Sequence, residues 1–411
     1  MSLSCGTADS RSLSDSPEGD PRLFSGPTGR ALLALGMGGF AIGTGEFVIM
    51  GLLPDAAADL GTSIPQAGYL ISIYALGVVI GAPVLAVLGA RLARRNFLIG
   101  LMLVFALGNF VSAAAPGFGS MAWARFLTGF PHGTYFGVAA LVAAGMVPLY
   151  RRTLAVAMVL LGLTIATLVG VPLAAALGQW LGWRSAFTLV GLIGLLTALL
   201  CWRWVPHTPG DRTASPLREL GALRRKQVIL TLAIGAIGSG GIFSVFSYIK
   251  PTMMEVAHLP EAWVPAVLAM FGVGMVSGNL LGSRLADRNM EMTIRYVLVW
   301  AAVMLGAFYF TSHSAWLGSI NVLLIGTVVA LGATLQTRLM DVAGDAQTLA
   351  AALNHSAFNI ANALGAWLGG VAIDAGLGWS STGWVGAVLA LAGLAVHYWA
   401  LADMRRHPLT R

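Results

Sequence analysis

The chain is written in long apolar runs separated by short polar breaks. Twelve runs of about 20 residues can be marked, roughly 31–53, 67–89, 97–115, 121–147, 154–178, 185–204, 228–249, 262–283, 294–311, 315–335, 348–373 and 382–402. Backbone groups in lipid must be bonded within their own segment, so each run is predicted to be a transmembrane helix. Their unbroken apolar character excludes the alternating pattern of a membrane barrel. The first run is too long for a secretory h-region, carries Glu46 and is followed by many similar segments, so it reads as a retained helix. Residues 1–30 are rich in Ser, Pro, Gly and Asp with no apolar period, and are expected to form a disordered tail.

Composition agrees with the pattern. Of 411 residues, 57% are hydrophobic and 10% charged, with a mean hydropathy of +0.79, whereas a soluble domain carries about 25% charged residues. The 52 glycines suit membrane helices, where small residues let backbones approach. Two cysteines, Cys5 in the tail and Cys201 at the end of a run, suggest neither a disulfide framework nor a thiol metal site.

The net charge of +7 describes topology rather than a nucleic-acid partner. Of the 24 Lys and Arg residues, 21 fall in the two tails, in alternate loops and at the adjoining helix ends. The intervening edges hold only Arg184 and Lys250, and Arg125 lies inside a run. Cytoplasmic loops carry the excess of Lys and Arg, which places both termini in the cytoplasm of a cell bounded by an inner membrane. The even helix count agrees.

The chain also repeats itself. GARLARRN at Gly89–Asn96 matches GSRLADRN at Gly282–Asn289 at six of eight positions with an offset of 193, and LGW at Leu181–Trp183 recurs at Leu377–Trp379 with an offset of 196. The expected architecture is all-α and integral to the membrane, with two pseudo-symmetric six-helix halves at 31–204 and 227–403, a polar cytoplasmic linker at 205–226 and a short tail at 404–411. A substrate site near the midplane between the halves goes with such an arrangement.

The stretches GTGEFVIMGLLP from Gly43, YALGVVIGAP from Tyr74, RFLTGFPHGTYFGV from Arg125, FSYIKPTMM from Phe246 and GVGMVSGNLLGSRLADR from Gly272 come from both halves. Through them the chain resembles the drug:proton antiporters of the major facilitator superfamily, most closely the arabinose efflux permease type, and also chloramphenicol-resistance exporters. The resemblance runs from about residue 30 to 403 and implies the major facilitator fold and alternating-access export driven by inward proton flow. It implies a cytoplasmic gate at Arg91, Arg94 and Arg95, repeated as Arg284, Asp287 and Arg288. In the first copy Ala90 stands where the family carries an acid; in the second, Asp287 beside Arg288 supplies an acid and base pair. The fifth-helix antiporter motif is represented by Gly162, Gly170 and Pro172, with Ala174 and Ala175 in place of its last glycine pair; a proline-kinked helix in a glycine-rich packing face is the other reading of these residues.

Glu46 carries the candidate chemistry. A charged side chain at a helix centre costs about 2.5 to 3.5 kcal/mol on insertion scales, so an unpaired carboxylate there keeps its proton until water, a cation or substrate reaches it. The other charge well inside a run is Arg125. At 1.5 Å per residue the two lie roughly 7 Å apart in depth, within reach of two long side chains, so a Glu46–Arg125 pair is expected. In the family a fourth-helix arginine is implicated in proton transfer, and Arg125 inherits that role by resemblance. His132, seven residues after Arg125 and on the same face, can pass protons or bond to a neighbouring helix. On the eleventh helix His355, Asn359 and Asn362 form a polar stripe that suits either a cavity lining or interhelical hydrogen bonds. Phe47, Met50, Tyr74, Tyr135 and Phe246 are candidates for an aromatic cavity wall, each with a packing alternative.

The expected partners are a small molecule, protons and the lipid bilayer, in a chain able to work as a monomer and needing no cofactor beyond the proton gradient. No Walker-type phosphate loop occurs. Three functions remain at this point: proton-coupled efflux of a drug, sugar or related compound; uptake of a sugar or nucleoside by symport or uniport; and a polytopic membrane enzyme. The last is poorly served by the longest internal loop, 205–226, which has one His, one Asp and one Glu. The sequence does not name the substrate, because function resides in the cavity rather than the fold.

Overall fold

The structure is a computed structural model that describes residues 26–89, 92–148, 152–207, 225–343 and 347–406. Most of the 1–30 tail, Ala90 and Arg91 of the expected gate, positions 208–224 of the linker and the last five residues lie outside the described residues. All regular structure among the described residues is helical. The first half holds α1 (Gly26–Gly51), α2 (Ile64–Gly89), α3 (Arg94–Ala114), α4 (Phe118–Gly145), α5 (Arg152–Ile165, continued by Val171–Leu181) and α6 (Trp183–Trp204). The second holds α7 (Lys226–Gly238, continued by Gly240–Ser247 and Ile249–Glu255), α8 (Val264–Arg288), α9 (Met290–Thr311), α10 (Ala315–Gly326, continued by Ala330–Ala343), α11 (Gln347–Asp374) and α12 (Ser381–Arg406).

Eleven of these helices are long and apolar enough to cross a membrane. The twelfth, α4, has 28 residues but falls short on composition, because it carries Arg125, Thr128, His132 and Thr134. All four are buried, so the polarity that lowers its hydropathy faces protein rather than lipid. Helix ends extend past the apolar runs: α1 begins at Gly26 instead of 31, where the left-handed φ of 82° at Gly26 and the fixed φ of Pro27 start the helix. Likewise α12 continues to Arg405 and Arg406, cations that suit a helix carboxyl end.

Three helices among the described residues are interrupted, α5, α7 and α10, the last by a 3-10 turn at Thr327–Val329. In α5, residues Ala166–Gly170 form a π turn immediately before Pro172. Proline lacks an N–H and crowds the carbonyl four residues back, and a π turn is one of the few ways to absorb that inside a helix. Gly162 lies against the Gly36 carbonyl, and Gly170 against the Thr44 hydroxyl and the Phe40 ring, so the glycine series packs α5 closely onto α1. In α7 the helix is interrupted at Ser239 and Tyr248.

The two halves meet along a seam formed by α2 against α11, the second part of α5 against α8, and the end of α1 against α7. At one end of the bundle lie Arg94, Arg225, Arg338 and Arg405; the other end mixes Asp55, Asp59, Arg184, Lys250 and Glu261. The seam is tied at the mixed-charge end. Lys250, only 1% exposed, bonds Asp55 of the first half at 2.5 Å and Glu261 of its own half at 2.6 Å. Gln179 of α5 donates to the Glu261 carbonyl across the same seam at 3.1 Å. Farther in, Phe47 of α1 meets Phe243 and Phe246 of α7 at 6.3 and 6.1 Å, and Phe246 stacks on Phe271 of α8 at 3.9 Å. Lys250 therefore joins a carboxylate of each half.

The geometry yields two predictions. Lys250→Met removes the charge while leaving Asp55 and Glu261, at 37% and 44% side-chain exposure, in water, so the variant is expected to fold with a loosened seam. In a background with Cys5 and Cys201 replaced, alkylation of Phe47→Cys by an impermeant maleimide added from the mixed-charge side should rise severalfold; an unchanged rate would show that the bond does not hold the seam. At Gly272, an added Cβ would lie 2.6 Å from the Leu168 Cα and 2.7 Å from the Thr167 carbonyl, whereas at Gly100 nothing lies within 4 Å. Overpacking costs about 1–3 kcal/mol, so Gly272→Val should lower the thermal midpoint in detergent while Gly100→Val leaves it unchanged. Equal midpoints would mean that the halves do not need this close approach.

Candidate functional site

Glu46 comes to the centre of the seam because of the glycines before it. A Cβ at Gly45 would sit 2.9 Å from Val190 and 3.0 Å from the Phe105 ring, and one at Gly43 would sit 2.7 Å from Leu163 and 2.9 Å from Ala166. With α1 pressed against α3, α5 and α6, its next residue is directed toward α2, α4 and α11. Glu46 is 5% exposed.

Among the described residues its carboxylate has one hydrogen bond, and that bond crosses the seam. Nδ2 of Asn362 on α11 donates to Glu46 Oε1 at 3.1 Å. The second oxygen, Oε2, lies 3.9 Å from Nδ1 of His132, too far for a hydrogen bond. That same Nδ1 is 3.1 Å from the Tyr74 hydroxyl. A ring carrying its proton on Nε2 accepts from Tyr74; a doubly protonated ring would turn Nδ1 into a donor facing both Tyr74 and Glu46. The arrangement can hold a proton on the acid or a cation beside the carboxylate, with a histidine at its margin.

Arg125 does not take the expected partner. Its guanidinium spans to α1 but bonds the backbone there, Nη1 to the Gly45 carbonyl at 2.8 Å and Nη2 to the Glu46 carbonyl at 3.4 Å. It also lies 4.2 Å from the Tyr74 ring centre and 5.7 Å from that of Phe187, in cation–π range. Depth arithmetic correctly brought the two residues together, but a guanidinium fork fits two successive carbonyls as well as one carboxylate. Arg125 therefore fixes α4 to α1 and leaves the carboxylate free to be joined by the other half. Its Nε has no partner among the described residues.

The α11 stripe divides by residue. Asn362 bonds Glu46, Asn359 returns Nδ2 to the His355 carbonyl at 3.0 Å, and the His355 ring stacks on Phe136 of α4 at 5.2 Å, nearly parallel. Phe136 in turn meets His132 at 5.4 Å. The stripe is thus an interhelical contact at both ends of its reach. The side-chain oxygens of Asn359 and Asn362 are buried without partners among the described residues. Beside them Ser72 of α2 donates to the Ala363 carbonyl at 2.9 Å, another bond across the seam that sequence patterning gave no reason to single out.

Other expected residues scatter. Phe47 and Phe246 belong to the aromatic cluster on the seam, and Met50 lies in the core that spans both halves. Tyr135 departs from the expectation: its hydroxyl donates to the Leu35 carbonyl at 2.9 Å and its ring packs in the separate core of the first half, away from Glu46, since its position on α4 turns it toward the start of α1. Gly162, Gly170 and Pro172 shape α5 as described above. Of the residues expected at a gate, Arg94 lines a cavity of about 380 Å³ with Pro27, Leu141, Met146 and Trp204, Arg95 is half-buried, and Arg284 and Arg288 are exposed. The side chain of Asp287, like the whole of Arg91, lies outside the described residues. No cluster of three or more metal-ligating side chains occurs among the described residues.

Comparison with known proteins bears on this architecture. Residues 35–348 match the family model described as the Major Facilitator Superfamily. An inner membrane transport protein of Escherichia coli, YdhP, is 40% identical over 366 residues, covering 89% of this chain and 94% of that protein. A chloramphenicol resistance protein of Streptomyces lividans is 31% identical over 367 residues, covering 87% of this chain and 93% of that one. Among solved structures, a bacterial homologue of the human lysosomal transporter Spinster, in an inward-facing unoccupied conformation, superposes with a TM-score of 0.69 at 16% identity, over 92% of this chain and 97% of that chain, and so shares the fold. On a family match over most of its length and relatives aligned nearly end to end, this chain belongs to the major facilitator superfamily and is a membrane transporter of a small molecule rather than an enzyme.

Proposed function

We propose that the protein exports a small organic molecule in exchange for protons, by alternating access, with Glu46 as the proton-binding group. The observation that carries this reading is the position of Glu46: a buried carboxylate with a hydrogen bond from Asn362 of the opposite half. Opening the seam would break that bond and hydrate the acid, so its affinity for a proton must differ between the two conformations. Such a difference is what couples proton movement to the swing of the halves. The resistance function in the name of the Streptomyces relative favours export, and drugs and sugars of modest size fit the reading.

The remaining parts follow the same reading. The arginine-rich end faces the cytoplasm by the positive-inside rule, with both termini there. The described state, tied at the mixed-charge end, would then be closed to the outside. The halves occupy 31–204 and 227–403, with 205–226 as linker and 1–30 and 404–411 as tails. Arg94, Arg95, Arg284 and Arg288, with Arg91 and Asp287, would form the cytoplasmic gate. Arg125 holds the Glu46 backbone in place, His132 stands at the proton's margin, and the π turn at Gly170–Pro172 gives α5 its bend. One proton moving down 100 mV supplies about 2.3 kcal/mol, enough to sustain a substrate gradient of roughly 50-fold, so a monomer needs no nucleotide.

Glu46→Gln tests the reading. The amide keeps the shape and removes the titration, so the variant should fold and elute as the wild type. In weakly buffered detergent with a pH dye, a panel of chloramphenicol, arabinose and nucleosides should release protons from the wild type with one compound class and from the variant with none. Undiminished proton release or proton-driven accumulation by Glu46→Gln would remove Glu46 from the coupling role.

A further inference from the structure

The bond between Glu46 and Asn362 has a property that an ion pair lacks: its direction depends on where the proton is. An ionised carboxylate can only accept, so it requires the N–H of the amide; a protonated acid also donates, and then the amide oxygen is the fitting partner. The carboxamide of Asn362 can serve both states by turning over about its last side-chain bond. Nothing else holds it in one orientation, because Oδ1 has no partner among the described residues and the residue is fully buried.

The surroundings leave the acid few other acceptors. On α4, Arg125 is a donor committed to the carbonyls of Gly45 and Glu46, and His132 Nδ1 lies 3.9 Å from Oε2 and is engaged with Tyr74 of α2 at 3.1 Å. On α11, His355 is stacked on Phe136 rather than placed against the carboxylate, and Asn359 has spent its N–H on the His355 carbonyl. On α1 itself, Thr44 donates to the Phe40 carbonyl at 2.8 Å. Asn362, whose Nδ2 lies 3.1 Å from Oε1, is a side chain already bonded to the acid that also carries an unpaired acceptor oxygen.

We propose that Asn362 is a positioning residue that reads the protonation state of Glu46 and converts it into hydrogen-bonding character at the substrate site. With Glu46 ionised, the N–H points at the acid and the free oxygen of Asn362 stands on the same helix face as the free oxygen of Asn359, three residues away. Two unpaired acceptors suit a substrate that brings hydroxyl or N–H donors. With Glu46 protonated, the amide turns, its oxygen takes the O–H, and its N–H now faces where the donor lay. Two donors cannot pair, and a buried donor left unpaired is unfavourable. Proton and substrate thus exclude each other through the amide, without competing for the same oxygen. The amide neither gains nor loses a proton; only Glu46 exchanges one with water. The inference rests on the proposed proton role of Glu46 and adds the substrate's chemical class, a hydrogen-bond donor.

Infrared difference spectroscopy of the full chain in nanodiscs across a pH titration tests it without any substrate. Two bands are followed: the protonated carboxyl stretch that vanishes in Glu46→Gln, and an amide carbonyl change, shifted by asparagine carrying carbon-13 in its side chain, that vanishes in Asn362→Leu. The expected result is that both rise and fall with one midpoint, that the amide change is lost in Glu46→Gln, and that Asn362→Gln, whose amide is unlabelled, shows an unshifted amide change with that midpoint where Asn362→Leu shows none. If Asn362→Leu fails to fold, the wild type and Glu46→Gln still decide. A carboxyl band that titrates while the asparagine band stays fixed would overturn the inference and leave the proton role of Glu46 standing, with His132 as the acid's partner. No titrating carboxyl band at all would overturn both.

Discussion

A carboxylate buried between two bundles of helices must be bonded by something, and at Glu46 the bond comes from the bundle to which it does not belong. Within its own half everything is arranged around the backbone of that residue rather than its side chain. The glycines at 43 and 45 press α1 against its neighbours, and Arg125 locks the carbonyls at 45 and 46. The acid is left facing the seam, where Asn362 is its hydrogen-bond donor. An arginine on the carboxylate itself would have made a stable, buried ion pair, expensive to break and indifferent to the opposite half. An amide from across the seam joins the group's chemistry to the position of the halves.

The seam is built from unlike materials along its length. At the mixed-charge end it is ionic, with Lys250 between two carboxylates. Next comes an aromatic layer from Phe47 to Phe271. At the level of Glu46 and Ser72 it is made of hydrogen bonds donated by an amide and a hydroxyl. The first of these layers has carboxylates open to water, and the last holds Glu46, a buried group able to change its charge. The layers therefore separate the strength of closure from its sensitivity to protons. In lipid, where apolar contact gives helices no special advantage over acyl chains, close backbone approach at residues such as Gly272 supplies much of the remaining adhesion.

Most of this architecture was legible in the sequence, for reasons that differ by residue. Helices in lipid advertise themselves by length, and Glu46 stood out because a formal charge in an apolar run has no bland explanation of equal weight. The shared face of His355, Asn359 and Asn362 followed from helical spacing alone, but the partner of Asn362 lies 316 positions away and spacing cannot reach across a fold. Depth placed Arg125 beside Glu46, yet depth does not distinguish a side-chain oxygen from a main-chain one. Tyr135 had both readings open, because an aromatic residue near a polar helix face points to a cavity or to a core with the same composition, and here the core of the first half claims it. Lys250 carried no signal for its two carboxylates, since Asp55 and Glu261 lie in separate hairpins whose meeting is a property of the assembled halves.

The π turn in α5 has a consequence for how this family of sequences can change. A π turn holds one residue more than the α-helix it interrupts, and at 3.6 residues per turn that surplus rotates everything beyond it by about 100°. The segments Arg152–Ile165 and Val171–Leu181 therefore present faces that no continuous helix of the same sequence could present together. The surplus lies where Thr167 and Leu168 receive Gly272 of the other half, so the loss of one codon between Ala166 and Gly170 would remove the wide turn that meets α8 while leaving the two flanking segments facing as they do. Insertions and deletions, which loops at the ends of the bundle absorb without effect, are in this one stretch a change of the surface on which the two halves meet.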